Sequence, residues 1–148
     1  MASSSVAIRV ETDVDCDPLE AFERLTSGVD YWWAAYAAFG VEGAHEVDLE
    51  RYAGGRVVTD GEDQAPDVEL GRMTLWRPGG RLEAEWREPS WPSGVVTSIV
   101  TSFEYSGTST HITVEHVGFE HLGASAQDTA QRYEARWAEL LATVARGR

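Results

Sequence analysis

Hydrophobic and polar positions alternate along much of the chain, and this period of two predicts a series of β-strands. The first run covers residues 6–14, VAIRVETDV, in which every second side chain is valine, isoleucine or threonine. Further runs of the same kind cover 45–51, 56–59, 69–76, 81–87, 95–105 and 111–117. Short turn signals such as Pro78-Gly79-Gly80 separate several of them, which indicates an antiparallel meander.

Two short segments after the first strand have helical spacing instead. Residues 17–28 begin at Asp17, which can cap a helix, and Gly28 is suited to end it. Residues 30–39, DYWWAAYAAF, place aromatic side chains at i, i+4 and i+7, so that they share one helix face. Five aromatic residues lie in this second segment: Tyr31, Trp32, Trp33, Tyr36 and Phe39.

The C-terminal residues 126–145 repeat apolar side chains every three or four positions, which predicts a long amphipathic helix. The element order is therefore one strand, two short helices, about six strands and one long helix. This order predicts an α+β fold in which a curved antiparallel sheet of about six or seven strands surrounds the C-terminal helix. Such a layout leaves either a cavity or a very large core. We expect a single domain over residues 1–148, with its core at 6–145.

The chain has 148 residues, a formal net charge of −13, and neither lysine nor asparagine. This charge disfavours nucleic acid and anionic membranes as partners, because both are bound through Lys and Arg. No apolar run approaches the roughly 18 residues that a membrane span needs. A secretory signal is not apparent, and the single cysteine, Cys16, cannot form an internal disulfide. We therefore expect a cytoplasmic protein, and the arginine-only usage suggests a GC-rich, actinobacterium-like genome.

The order of elements resembles the helix-grip fold of the START-like, Bet v 1-like superfamily. The phrases DPLEAFERLTSGVDYWW, GRMTLWRPGGRLEAEW and THITVEHVGFEHLG occur in the order found in the branch named after the activator of Hsp90 ATPase. Trp137, which precedes Leu140-Leu141, fits the same branch. Co-chaperones of that branch carry an additional Hsp90-binding domain, so the resemblance does not imply Hsp90 binding.

Within this branch the chain is also similar to the self-sacrifice resistance proteins of enediyne producers. The similarity lies in the Trp-Trp helix, the GGR strand and the ending VEHVGFEH. In those proteins the drug radical attacks a backbone glycine. By position, the resemblance implies Gly107, in the predicted turn before residues 111–117, as the equivalent cleavage site.

The aromatic content and the resemblance together predict a pocket for a flat, mostly apolar ligand. The alternative is that the same side chains simply form the core. The predicted ligand-binding residues are Trp32, Trp33, Tyr36, Trp76, Trp86, Phe103, His116, Phe119 and Trp137.

The segment EHVGFEH carries two glutamates and two histidines, side chains that can bind metal or transfer protons. His116 is expected to face inward, either as a polar ligand contact or as a hydrogen-bonded core histidine. A zinc site of Glu115, His116, Glu120 and His121 is disfavoured, since neighbours on a strand point to opposite faces. General acid–base work by His116, as in polyketide cyclases of the superfamily, is an alternative.

The sequence thus predicts a protein that binds a hydrophobic, ring-containing small molecule of polyketide or enediyne type, for sequestration or self-resistance. We expect no catalytic residues, no metal and no cofactor. Two other readings stay open: a cyclase-like or hydrolase-like enzyme that uses the same cavity, and a protein-interaction module. A homodimer is also left open.

Overall fold

Seven antiparallel strands form one sheet in the computed structural model, which describes residues 5–27, 47–59, 68–88 and 91–146. The spatial order is β1-β7-β6-β5-β4-β3-β2, so consecutive strands from β2 to β7 are neighbours and β1 pairs with β7. The strands are β1 Ala7–Val14, β2 Val47–Leu49, β3 Arg56–Thr59, β4 Val68–Arg77, β5 Arg81–Trp86, β6 Thr97–Tyr105 and β7 Thr110–Val117.

Two α-helices pack with this sheet in the described part of the chain. Helix α1, Pro18–Ser27, follows β1, and its N-terminus is capped as predicted, because Asp17 Oδ1 accepts a 2.8 Å hydrogen bond from the backbone N–H of Glu20. A 3-10 helix, Phe119–Ser125, leads into α2, Ala126–Ala145. Neither described helix is long and apolar enough to cross a membrane.

The α+β helix-grip architecture predicted from the sequence is confirmed. The strand alternation also has the predicted sense: the inward residues of β6 and β7 are buried and their neighbours are more exposed. Helix α2 buries one face and has the predicted bounds. The second short helix, predicted at 30–39 with Trp32, Trp33 and Tyr36, lies outside the described residues.

Two strand boundaries differ from the prediction for a local reason. The strand predicted at 45–51 ends at Leu49, because Glu50 accepts hydrogen bonds from the backbone N–H and the guanidinium of Arg56 and so closes the β2–β3 turn. Residues 45 and 46 lie outside the described residues. The strand predicted at 95–105 begins at Thr97. Val95 is held in a preceding turn by a 3.1 Å hydrogen bond from its N–H to the Pro92 carbonyl.

Candidate ligand site

Four of the predicted site residues lie on strands of the sheet, towards two different ends of it: Trp76, Trp86, Phe103 and His116. Residues on β5 and β6 face each other in the pairs Leu82–Thr101, Ala84–Ile99 and Trp86–Thr97. Phe103 therefore lies at one end of the β6 row and Thr97 at the other, with Ile99 and Thr101 between them. The predicted site residues that the structure describes divide accordingly into two clusters.

The first cluster, here the α1 cluster, consists of Phe22, Trp76 and Phe103. The edge of Trp76 meets the Phe22 ring at 5.0 Å between centroids, and Phe103 lies 5.3 Å from Phe22. Phe22 and Phe103 are buried, while Trp76 is half-buried. Trp76 and Phe103 were both predicted as ligand-binding, and the structure brings them together against α1.

The second cluster, here the His116 cluster, combines the other four described members of the predicted set with Tyr133. The His116 ring lies 4.5 Å from Phe119 and 5.1 Å from Tyr133, and Phe119 lies 5.3 Å from Tyr133. All of its members are at least nine-tenths buried: Trp86, His116, Phe119, Tyr133 and Trp137. The side chains of this cluster pack α2 against β5, β6 and β7.

A narrow apolar cavity lies between the two clusters. It holds ≈ 270 Å³ of space not filled by protein atoms, of which only ≈ 10 Å³ is wide enough for the centre of a water molecule. It is therefore a slot, with room for about one water as it stands. The lining side chains are Leu25, Met73, Leu82, Ala84, Ile99, Thr101 and Trp137.

A chain of buried hydrogen bonds orders the His116 cluster. The indole N–H of Trp137 donates to His116 Nδ1 at 3.1 Å, and an indole N–H can only donate. His116 Nδ1 must therefore be the acceptor, and Nε2 carries the ring proton and donates to Thr97 Oγ1 at 2.6 Å. The Thr97 hydroxyl donates in turn to the Trp86 carbonyl at 3.0 Å.

His116 is thus a neutral, fully hydrogen-bonded core histidine. Burial lowers its pKa to about 3 from the usual 6.5, because no water solvates the imidazolium in this environment. Both ring nitrogens are already engaged. The ring therefore has no lone pair and no exchangeable proton to offer a substrate at neutral pH, which weakens the acid–base alternative.

A second buried chain links Trp86, Tyr133 and Glu88. The Trp86 indole N–H donates to the Tyr133 hydroxyl at 2.9 Å, and that hydroxyl donates to the Glu88 carboxyl group. Burial, followed by the nearby Glu88, raises the pKa of Tyr133 well above its ordinary value. Tyr133 therefore stays protonated and acts as a donor, which joins the loop after β5 to helix α2.

Tyr133→Phe should lower the free energy of unfolding by about 1–2 kcal/mol, because both Trp86 and Glu88 lose a buried partner. Urea denaturation measures this directly. Tyr105→Phe is the matched control, since the Tyr105 hydroxyl lies on the surface and donates only to the Gly107 carbonyl. Its cost should stay within about 0.5 kcal/mol. Equal costs for the two variants would contradict the buried linkage.

Four polar members of this region were not predicted as site residues: Thr97, Thr101, Tyr133 and Glu88. Thr97 and Thr101 share the inward face of β6 with Ile99, a pattern visible in the sequence. Glu88 stands two residues after the inward Trp86, so continuing the period of two would have placed its side chain inward. Glu88 was not predicted as a site residue because the strand was predicted to end at residue 87.

Gly107 lies in the turn between β6 and β7. Its φ of +96° is in the region that favours glycine, and a Cβ there would meet nothing within 4 Å. The residue is exposed and is not among the residues that line the cavity. Its role as a cleavage site stays a prediction.

The candidate zinc residues point in different directions. Glu115 is exposed and lies 3.6 Å from Arg9, whereas His116 is buried on the opposite face. Glu120 accepts a 2.9 Å hydrogen bond from the Val6 N–H. In the described part of the chain, no group of three or more His, Cys, Asp or Glu side chains is placed to hold a metal ion.

No family model and no curated protein matches this sequence. Solved structures match its fold along nearly the whole chain. Aha1 from Colwellia psychrerythraea, solved as a dimer, is 16% identical with a TM-score of 0.67, over 95% of this chain and 93% of that one. An Hsp90 activator from Plasmodium falciparum is 12% identical with a TM-score of 0.68, over 94% and 93%.

DynU16, a protein from the dynemicin biosynthetic locus, is 17% identical with a TM-score of 0.64. The match covers 95% of this chain and 46% of DynU16, so the chain spans about half of that protein's length. These likenesses confirm, at the level of the fold, the resemblance to the Hsp90-ATPase-activator branch and to enediyne-associated proteins.

Proposed function

We propose that the chain binds a hydrophobic, ring-containing small molecule on the concave face of its sheet and does not turn it over catalytically. One observation carries the proposal: an apolar slot lies between two clusters of aromatic rings, with α1 and α2 supplying walls on either side. Binding sites for apolar ligands are typically concave, aromatic-lined and sparing in polar groups.

The aromatic residues predicted at 30–39 extend this proposal. Leu25, which lines the slot, stands near the end of α1, and Trp32 follows it by only seven positions in the chain. We include Trp32, Trp33 and Tyr36 in the proposed site for this reason. They would enlarge the aromatic surface that a flat ligand can contact.

Binding without turnover is favoured over a cyclase or hydrolase by the state of His116. The described slot contains no carboxylate, cysteine or histidine among its lining residues. His116, which accepts a hydrogen bond from the slot-lining Trp137, is neutral and hydrogen-bonded at both nitrogens. The proposal therefore assigns affinity, not proton transfer, to this face of the sheet.

We assign the ligand to the polyketide or enediyne type and the role to sequestration or self-resistance. The support is the sequence resemblance to self-sacrifice proteins together with the shared fold of DynU16. In the self-sacrifice form of the proposal, a ligand radical takes a hydrogen atom from the Cα of Gly107, in the exposed turn that follows the Phe103 end of β6. The hydrogen atom quenches the ligand radical, and dioxygen adds to the Cα radical before the backbone is cut.

The test is a titration of tryptophan fluorescence with polycyclic and polyketide metabolites, with mass spectrometry of ligand and protein in the same samples. Saturable quenching with unchanged masses is the expected result. A changed ligand mass with an intact protein would replace the proposal by an enzymatic function. A protein cut near Gly107 would establish the self-sacrifice form, and no response to any compound would overturn ligand binding.

Trp32→Ala should weaken ligand binding roughly tenfold or more, because one large aromatic contact is worth at least 1.4 kcal/mol. Isothermal titration calorimetry measures it without relying on the tryptophan signal. Tyr52→Ala is a suitable control, since Tyr52 is an exposed aromatic residue outside the slot. Unchanged affinity in Trp32→Ala would remove residues 30–39 from the proposed site.

A further inference from the structure

Two threonines on the inward face of β6 have the same burial and opposite hydrogen-bond states. Thr97 and Thr101 are each only 1% exposed. The Thr97 hydroxyl is engaged with both the Trp86 carbonyl and His116 Nε2. The Thr101 hydroxyl has no hydrogen-bond partner anywhere in the part of the chain that the structure describes, and it borders the slot.

A buried hydroxyl without a partner is unfavourable, because folding removes its hydrogen bonds to water and no protein hydrogen bond replaces them. Valine has nearly the same shape and would fill this position without that penalty. The neighbours of Thr101 in the slot are apolar: Leu25, Met73, Leu82, Ala84, Ile99 and Trp137. A hydroxyl here is therefore poorly explained by packing against the described residues, and a bound ligand atom would supply the missing partner.

A resident water explains it less well. The open space of ≈ 10 Å³ matches a single water, but a buried water is normally held by two to four polar groups. Among the lining side chains, the Thr101 hydroxyl is the one free polar group that the described structure offers, since the Trp137 N–H donates to His116. Such a weakly held water is readily displaced by a ligand atom that bonds the same hydroxyl.

We propose that the Thr101 hydroxyl is the polar anchor of the ligand site, and that it selects ring compounds bearing a neutral carbonyl or phenolic oxygen. The inference rests on the proposed function and specifies its ligand. A hydroxyl can donate to a carbonyl or accept from a phenol. A carboxylate or ammonium group is disfavoured, because the lining residues that the structure describes provide no opposite charge.

The slot must widen to admit a ring, and its composition allows this. Met73 is unbranched and adaptable, and it stands where β4 has an irregular register opposite β5, between Met73 and Leu75. Met73 lines the slot together with Thr101, whereas Thr97 and His116, which are hydrogen-bonded to each other, are not among the described lining residues. Thr101 thus lies between the adaptable side chain of Met73 and the hydrogen-bonded Thr97–His116 pair.

The first measurement compares thermal unfolding of the free protein in Thr101→Val and Thr97→Val. Thr101→Val should raise Tm by a few degrees, since it removes an unpaired hydroxyl. Thr97→Val should lower Tm, because it removes the hydroxyl that bonds both the His116 N–H and the Trp86 carbonyl. A lowered Tm in Thr101→Val would show that the hydroxyl is already satisfied and would overturn the inference.

The second measurement is calorimetric titration with 1-tetralone and with tetralin, the same ring system without the carbonyl. Wild type should bind 1-tetralone more tightly, and Thr101→Val should lose roughly tenfold in affinity for 1-tetralone while binding tetralin as before. Thr101→Ser keeps the hydroxyl and should keep the preference. Equal binding of both compounds by wild type and Thr101→Val would overturn the anchor and leave the proposed function standing. Binding of neither compound by wild type would overturn the proposed function itself.

Discussion

Trp137→Ala is expected to lower the free energy of unfolding by about 3–5 kcal/mol, the usual cost of truncating a large buried aromatic side chain. Trp137 is only 3% exposed, lies on α2, and both lines the slot and donates to His116. Its removal therefore creates a cavity that adjoins existing empty space. It also deprives His116 Nδ1 of its donor. Urea denaturation at constant m-value gives the loss.

Trp137→Phe separates the two contributions. The phenyl ring keeps most of the apolar volume but cannot donate, so the loss should be about 1–3 kcal/mol, from the unsatisfied His116 nitrogen and the smaller ring. Indole added to Trp137→Ala should recover part of the lost stability, because it fits the vacated space. A loss below about 1 kcal/mol in Trp137→Ala would show that α2 is not fastened to the sheet through this side chain.

The elements that carry this packing could be predicted from the sequence because their periodicity is local. The α2 bounds, Ala126–Ala145, follow from apolar spacing at three and four, and the inward direction of His116 follows from the alternation with Ile112 and Val114. Both patterns reflect one continuous stretch packing against one core. No knowledge of the partner surface was needed.

The hydrogen-bond chains could not be predicted, because each joins residues far apart in sequence. Thr97 and His116 are 19 positions apart, and Glu88 and Tyr133 are 45 apart. Which of two similar threonines, Thr97 or Thr101, finds a partner depends on sub-ångström placement across three strands. Periodicity contains no such information, since both threonines occupy equivalent places in the β6 pattern.

The position of Trp76 shows a different limit. The register between β4 and β5 shifts between Met73 and Leu75. The face of the strand that carries odd-numbered residues up to Met73 therefore carries even-numbered residues, such as Trp76, after the shift. Met73 faces the slot, while Trp76, three positions later, packs edge-on against Phe22 in the α1 cluster. A strict period of two would have placed these two side chains on opposite faces. The two ring clusters flank the slot partly because of this irregularity.

Acid should destabilise the protein specifically through His116. Above a pH of about 6.5 its imidazole is neutral in both the folded and the unfolded chain. As the pH falls below that value, the unfolded chain takes up a proton, whereas the folded chain does not until the pH nears its pKa of about 3. The free energy of unfolding should therefore fall by up to about 1.4 kcal/mol per pH unit, or roughly 2–3 kcal/mol by pH 4.5.

The window from pH 6 to 4.5 isolates this effect. His111 has the opposite shift: hydrogen bonds to Glu11 and then Asp13 raise its pKa, so its contribution is complete below about 6.5 and adds little slope there. Arg56 lowers the pKa of Glu50 to about 2, so stability from this group is lost mainly below pH 4.5. His116→Gln, which offers one donor and one acceptor, should lose the slope, and His111→Gln should keep it.

Proton NMR provides the same test on the unaltered protein, which matters because His116→Gln also perturbs the core. The His116 ring signals should stay constant from pH 8 to 4.5, while those of the half-buried His111, whose pKa is raised by its hydrogen bonds to Glu11 and Asp13, should change as that ring titrates. A His116 signal that titrates near its ordinary pKa would mean that water or a proton donor reaches the ring. The imidazole would then again be available for acid–base chemistry, and the case for binding without turnover would lose its main support.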